Sequence, residues 1–180
     1  MHMQINNVLL VSEDFIKSNS NLSDNVWGKF LLPAIRDAQT IHLQQILGEC
    51  LYNALLTKVV ENDVKDQYED LIKGYVQWYL LYQVLSDIID VLDIKMANLG
   101  TVRSRDEYVD NISDNERVRL KHNYEYKADF YCRTMQKFLL ENKQAFPELD
   151  QCTCDAMSAN LKSAASTGLW LGGYRSKIVR

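Results

Sequence analysis

The chain has 180 residues, and its 20 Lys and Arg against 24 Asp and Glu give a formal net charge of -4. This balance excludes a general electrostatic attraction to phosphate backbones, so charge does not favour a nucleic-acid-binding protein. Only two prolines and seven glycines accompany 47% hydrophobic residues. A chain so poor in turn formers is biased towards helix, and one all-α domain is the first expectation.

The sequence contains no segment that predicts secretion or membrane insertion. The start MHMQINNVLLVSEDF lacks a basic segment followed by a long apolar run, so no secretion signal is expected. The longest apolar runs, such as YVQWYLLYQVL, contain glutamine and are too short to span a bilayer. We therefore expect a protein that is made in a cytoplasm and has no membrane partner.

The pattern of helices and turns divides the chain into a bundle with an extended arm at each end. Residues 1–22 are expected to form an N-terminal arm that contains one helical turn capped by Ser12. Residues 23–146 are expected to form the helical bundle, and residues 147–180 a short helix and a C-terminal arm. The fold class predicted is therefore all-α, a small bundle of three long helices plus a short fourth.

The first long helix is predicted from Ser23 or Asp24 to about Leu47, and Gly48 is expected to end it. Pro33 lies inside the pattern and predicts a kink or a restart of the helix. The stretch LYNALL that follows is expected to be a brief turn before the charged ENDVKDQ. Apolar residues recur along the helix at helical spacing, and Trp27, Leu31 and Ile35 widen the stripe that they form: Val26, Phe30, Ala34, Ala38 and Ile41.

The second helix is the clearest in the chain and covers residues 67–95. Apolar side chains occupy more than half of its circumference, so a central position in the bundle is expected. The third helix begins at Ser113, has Glu116 at the spacing of a capping box, and runs to about Asn142. We assign six side chains of the three helices to the core: Phe30, Ile35, Trp78, Tyr82, Leu85 and Tyr131.

Acidic residues recur at a spacing of three around the second helix. Asp87 and Asp90 form one pair, Asp66 and Glu69 form another, and two facing pairs of this kind could hold Mg²⁺. This raises the alternative of an all-α, Mg-dependent nucleoside triphosphate pyrophosphohydrolase-like enzyme. The other interpretation is a solvated acidic face, which we favour because the pattern is short and common. We therefore expect no catalytic residue, no metal and no cofactor.

The loop MANLGTVRSRDEY, residues 96–108, carries Arg103 and Arg105 one residue apart. In an extended segment both guanidinium groups project to one side, where they suit carboxylates of another surface or phosphates. An ordinary helix stop with solvated arginines is the alternative interpretation.

The C-terminal stretch STGLWLGGYRSKIVR, residues 166–180, places large apolar side chains among three glycines. Burial of these side chains would contribute several kcal/mol at roughly 25 cal/mol per Å², while the glycines disfavour an independent helix. The segment therefore needs a surface, either its own bundle or a neighbouring subunit, and aromatic anchors favour a partner. The predicted partner-binding residues of this segment are Leu169, Trp170, Leu171, Tyr174 and Arg175.

The order of these features resembles bacteriophage head–tail connector proteins, the small helical adaptors that form a ring beneath the portal. The likeness extends over residues 8–142 and is greatest to ring proteins of crAss-like gut phages. It rests on the third amphipathic helix and on four stretches: VSEDFIKSNSNLSDNV, LLPAIRDAQTIHLQQILGECLYNALL, YEDLIKGYVQWYLLYQVLSDIID and MANLGTVRSRD.

The resemblance implies a non-enzymatic virion structural protein that forms a homo-oligomeric ring, usually a dodecamer. Such a ring docks on the portal and contacts the next tail or ring component. DNA would pass through its channel without specific binding, which a net negative charge accommodates. Assembly would take place in the host cytoplasm, and the mature location would be the connector of the virion. By this analogy residues 166–180 are a docking arm, and Arg103 and Arg105 are polar contacts to a neighbour.

Overall fold

The computed structural model describes residues 8–22, 26, 28–97, 100–103 and 113–151, with the backbone alone described at 90, 92–97, 100–103 and 151. Across these residues the chain is helical except for one short hairpin and the connecting turns. The expected all-α class is confirmed.

The helices are numbered along the chain within the described residues. They are α1 Glu13–Ser18, α2 Gly28–Asp37, α3 Gln44–Leu47, α4 Glu49–Val60, α5 Asp66–Leu71, α6 Gln77–Asp93, α7 Asp114–Glu141 and α8 Glu148–Gln151. Two π-helical turns, Ala38–Leu43 and Ile72–Val76, join α2 to α3 and α5 to α6. Residues 28–47 therefore form the first long helix, and residues 66–93 form the central helix.

The first long helix is confirmed from Gly28, and its predicted stripe is buried at Leu31, Ala34, Ile35 and Ala38 but exposed at Phe30 and Ile41. The expected caps Ser23 and Asp24 lie outside the described residues, and α2 continues through Pro33. The π-helical turn adds one residue, so that Ala38 is followed in the core by Leu43 and Ile41 is exposed. Burial falls on one stripe that excludes Phe30: Leu31, Ala34, Ile35, Ala38, Leu43 and Leu47.

The assignment of Phe30 to the core is wrong, because its side chain is 36% exposed. One residue corresponds to about 100° of rotation on an α-helix, so Phe30 lies beside the buried stripe that begins at Leu31. The other core assignments are buried or packed against the core: Ile35, Trp78, Tyr82, Leu85 and Tyr131.

Gly48 ends the first long helix as predicted, with φ 79° and ψ 157°, and α4 begins at the next residue. This conformation is one that glycine alone adopts readily. The prediction of a brief turn at LYNALL is wrong, because the stretch belongs to α4 and its buried side chains recur at helical spacing. At its end Asn62 has φ 53°, and the Asp63 N–H donates to the Lys58 carbonyl in a Schellman motif. The buried residues of α4 are Leu51, Tyr52, Leu55 and Leu56.

The central helix is buried around most of its circumference, as its sequence predicts. It packs against the first long helix and against α7. An antiparallel ladder of rings joins it to α7, in which Tyr75 meets Phe138 at 4.7 Å, Trp78 meets Tyr131 at 6.0 Å, and Tyr82 meets Tyr124 at 6.4 Å between centroids. Its buried side chains are Leu71, Ile72, Val76, Tyr79, Leu80, Leu81, Val84, Leu85, Ser86 and Ile88.

The third long helix begins and ends where the sequence predicts. The Ser113 N–H donates to Glu116 Oε2 at 3.0 Å, and the Glu116 N–H donates to Ser113 Oγ at 3.3 Å, which completes the capping box. Asn142 is the C-cap. Part of the loop predicted at 96–108 is instead an antiparallel hairpin, in which β1 Ile94–Ala97 pairs with β2 Gly100–Arg103.

The N-terminal segment packs on the bundle through the buried side chain of Gln39. The Leu10 N–H donates to Gln39 Oε1 at 2.9 Å, and Gln39 Nε2 donates to the Val8 carbonyl at 2.8 Å and to Tyr52 Oη at 3.2 Å. Ser12 caps α1 as predicted, accepting from the Phe15 N–H at 3.1 Å. This anchoring accompanies the burial of Leu10, Val11 and Ile16 in the core.

After α7, the chain returns to the start of the central helix. A 3₁₀ turn, Lys143–Ala145, leads to the fully buried Phe146 and then to α8. The Tyr68 hydroxyl donates to the Glu148 carboxylate, whose two oxygens both lie 2.9 Å away. Burial and the neighbouring Glu148 raise the pKa of Tyr68 to about 12. The short helix expected beyond Pro147 is described only as α8, and residues 152–180 of the predicted C-terminal arm lie outside the described part of the chain.

A search of the described helices finds none that combines the length and the hydrophobicity required to cross a bilayer.

Replacement of Gln39 by alanine should destabilise the fold. The variant leaves the Leu10 N–H and the Val8 carbonyl without their partner, and unpaired buried polar groups lower the free energy of unfolding by on the order of 2 kcal/mol. Urea unfolding followed by circular dichroism measures the change. Gln45→Ala, at an exposed site of α3, is the matched control, and equal stability of the two variants would contradict the role of Gln39.

Candidate partner-binding surfaces

A cleft of about 460 Å³ opens between α2 and the C-terminal half of the central helix. We call it the α2 cleft. Two of its apolar side chains are substantially exposed, Phe30 by 36% and Val91 by 43%. Large apolar side chains that cluster on an open surface are typical of a partner-binding site. The residues that line the cleft are Lys29, Phe30, Pro33, Ala34, Asp37, His42, Asp87 and Val91.

Asp87 is a half-buried carboxylate in this largely apolar cleft. Gln83 Nε2 donates to Asp87 Oδ1 at 3.1 Å. Burial raises the pKa of Asp87, and the nearby Asp37 raises it further, whereas His42, Gln83 and Lys121 act in the opposite direction. The isolated chain therefore holds a negative charge where that charge is incompletely solvated, a property common at functional sites.

A second surface lies on the side of α7 that points away from the central helix. Its aromatic side chains are highly exposed, Tyr126 by 74% and Phe130 by 57%. On a helix of 100° per residue these rings share a sector with three exposed cations, and the acids Asp129 and Glu141 lie at the edges of that sector. We call this surface the α7 outer face, and it comprises Arg119, Tyr126, Phe130, Arg133 and Lys137.

The α2 cleft and the α7 outer face lie on opposite sides of the central helix. Trp78 belongs to the ring ladder that faces α7, and Asp87 lies nine residues later in the same α-helix. Nine residues correspond to about two and a half turns, so Asp87 lies on the side of the central helix opposite Trp78, although Lys121 of α7 is still near enough to lower its pKa. The chain therefore presents two different partner-type surfaces in opposite directions.

The partner-binding residues that the sequence predicts fall largely outside the described residues. Leu169, Trp170, Leu171, Tyr174 and Arg175 lie beyond residue 151. The site assigned to them remains a prediction.

The two arginines of the predicted loop are only partly within the described residues. Arg103 is the last residue of β2, where its backbone pairs with Ile94, and Arg105 lies outside the described residues. Their contact with a neighbour therefore also remains a prediction.

The acidic pairs of the enzymatic alternative are not brought together. Glu69 and Asp87 lie on one continuous helix, 18 residues and therefore about 27 Å apart. The pair formed by Asp66 and Glu69 consequently cannot share one ion with Asp87 in a single chain. Among the residues whose side chains are described, there is no group of three or more His, Cys, Asp or Glu that could hold a metal ion.

Sequence reasoning missed both surfaces. Tyr126 and Phe130 lie on the opposite side of α7 from Tyr124, Ala128 and Tyr131, which pack on the core, and a helical wheel of α7 separates the two sets. Phe30 was assigned to the core because its spacing of four residues from Ala34 fits an apolar stripe, but Leu31 and Ile35 beside it take the buried positions. Spacing alone does not distinguish these neighbours, so the α2 cleft required the structure.

The fold and these surfaces define an all-α protein with two outward faces that carry exposed large apolar side chains. The chain belongs to the family described as a family of unknown function, DUF6712, which matches residues 43–156. The match covers more than half of the chain, including α4, the central helix and α7. The family description names no activity and no partner. No curated protein and no solved structure matches the chain.

Removal of the Asp87 charge should stabilise the isolated chain. The folded-state pKa of Asp87 lies above its ordinary value of 3.8, so the folded state binds the proton more tightly than the unfolded state does. The free energy of unfolding therefore falls as the pH rises from the unfolded-state pKa to the folded-state pKa. Asp87→Asn should therefore raise the free energy of unfolding at neutral pH. This gain should disappear when the pH is below the ordinary pKa of aspartate, because Asp87 is then protonated in both states.

Urea unfolding at several pH values measures this difference. Asp70→Asn, which removes an exposed carboxylate from the same helix, is the matched control for the loss of one negative charge. An Asp87→Asn variant that is less stable than the wild-type chain at neutral pH would contradict the account of the α2 cleft.

Proposed function

We propose that this chain is a head–tail connector subunit, a non-enzymatic virion protein that forms a ring docked on the portal. The observation that carries the proposal is the pair of dissimilar surfaces on opposite sides of the central helix. Contacts between two different faces of identical subunits run head to tail, and they close into a ring when the rotation per subunit permits it. A single symmetric dimer needs only one such face.

The composition of the two surfaces supports assembly with other macromolecules. Aromatic residues and arginine are enriched at protein interfaces, and four of the five residues of the α7 outer face are of these types. The α2 cleft adds apolar side chains around Asp37 and Asp87. The α7 outer face is not a cavity and the α2 cleft is open to solvent, whereas a site for a small substrate buries most of its ligand.

The ring would be a homo-oligomer, with twelve copies as the expected number. It would surround the channel through which DNA passes without specific binding, a passage that the net charge of -4 accommodates. Its two rims would contact the portal and the next tail or ring component. The virion is its proposed location, after assembly in the host cytoplasm.

Residues 166–180 serve this function as a docking arm. Leu169, Trp170, Leu171 and Tyr174 provide apolar anchors, and Arg175 adds a cation beside them. Arg103 and Arg105 are proposed to make polar contacts with a neighbouring subunit. An arm adds to the contact between globular parts by raising the effective concentration of the partner surface.

Deletion of residues 166–180 should leave the helical content nearly intact and abolish association with the ring or the portal. The described core is formed without these residues, whereas the arm loses all of its anchors. Circular dichroism measures helical content, and light scattering coupled to size exclusion, with and without portal protein, measures assembly.

Deletion of residues 176–180 alone is the control, because it retains every proposed anchor and should assemble as the wild-type chain does. Assembly of the longer deletion at wild-type concentrations would refute the docking arm.

A further inference from the structure

The α7 outer face and the α2 cleft carry opposite charge. Arg119, Arg133 and Lys137 give the α7 outer face three cations, of which Lys137 also lies 3.8 Å from Glu141. The carboxylates of the α2 cleft are Asp37 and Asp87, with Lys29 and His42 also in its lining. One surface is therefore aromatic and cationic, and the other is apolar with two carboxylates.

We propose that these surfaces bind each other between two copies of this chain, so that the α7 outer face of one copy lies in the α2 cleft of the next. The inference rests on the proposed function and specifies its subunit contact. Tyr126 and Phe130 would cover the exposed apolar side chains of Phe30 and Val91, while the cations of α7 would approach Asp37 and Asp87.

Charge opposes the symmetric pairings that the same surfaces could make. Two α7 outer faces would bring three cations against three cations, with Asp129 and Glu141 only at the edges of each face. Two α2 clefts would bring four carboxylates together, which the two copies of Lys29 only partly offset. Like charges placed in contact are a common means of excluding an unwanted pairing. The mixed pairing is the one that joins opposite charges and buries apolar side chains on both partners.

The positions of the surfaces extend this contact beyond a pair. Each copy keeps a free cleft on one side of its central helix and a free α7 outer face on the other, because Asp87 and the ring ladder point in opposite directions. A contact of this kind therefore propagates from copy to copy.

The ionised Asp87 also fits this arrangement. Its carboxylate is incompletely solvated in the single chain, and a cation from the neighbouring α7 would stabilise the ionised form. The same group that weakens the single chain at neutral pH would thus strengthen its contact with a second copy.

Duplex DNA is the competing occupant of the α7 outer face, since its cations could meet phosphates. Aromatic side chains contribute to nucleic-acid binding by stacking on bases, which a duplex keeps paired and stacked. Tyr126 and Phe130 therefore favour a protein partner over a DNA duplex.

Mixing two full-length variants tests the proposed contact. The face variant carries Tyr126→Ala, Phe130→Ala and Arg133→Glu, and the cleft variant carries Asp37→Lys and Val91→Lys, all at exposed positions. Each variant alone should require a concentration at least about tenfold higher than the wild-type chain to associate, measured by sedimentation. The equimolar mixture should form a complex that stops at two copies, because it contains one intact face and one intact cleft.

Lys65→Glu, a charge reversal at an exposed site between α4 and α5, controls for the change of charge and should associate as the wild-type chain does. Equal helical content of all variants confirms that they fold. Wild-type association by either variant alone, or a mixture that associates no better than its components, would overturn the inference. A face variant that loses binding to a DNA duplex while its assembly is unchanged would also overturn it.

The same measurements separate this inference from the proposed function. If the wild-type chain forms rings but the mixture of variants does not pair, the connector proposal stands and the contact between the α7 outer face and the α2 cleft is rejected. A wild-type chain that associates neither with itself nor with portal protein would reject both.

Discussion

The burial of the central helix is the constraint on which the rest of the structure depends. Residues 66–93 present apolar side chains around most of the helix, and no single partner helix can cover such a circumference. The first long helix therefore covers one side, and α7 covers the other through the ring ladder. The N-terminal segment adds Phe15, whose ring meets Trp78 at 5.5 Å.

This packing determines where the outward surfaces lie. Helices that cover opposite sides of a central element present their own outer sides in opposite directions, and here those sides carry exposed aromatic and aliphatic residues. The connector proposal rests on this geometry together with the resemblance in sequence, and the proposed docking arm would add a separate contact. The charge of Asp87 connects the stability of the single chain with the proposed assembly. Its ionised carboxylate lowers the stability of the isolated fold, and a cation from a partner would stabilise the ionised form.

The sequence predicts the regular features of the fold well. The Ser113 and Glu116 capping box, the stop at Gly48 and the buried circumference of the central helix each arise from local chemistry, and all are confirmed. The helix at 49–60 was missed because it begins directly after Gly48, so that the glycine that ends one helix also precedes the next without a linker between them. Phe30 is exposed because the adjacent Leu31 takes the buried position of α2, and hydrophobic spacing alone does not show which of two neighbouring apolar residues faces the core. The exposure of Ile41 depends on a π-helical turn that hydrophobic spacing does not encode.

Cryo-electron microscopy of the wild-type chain assembled on portal protein is the most direct test of the central claim. The account predicts a closed ring in which α7 of each subunit lies against the α2 cleft of the next, with Tyr126 and Phe130 shielded from solvent. A particle in which both surfaces remain open to solvent, or a chain that stays monomeric beside the portal, would contradict it.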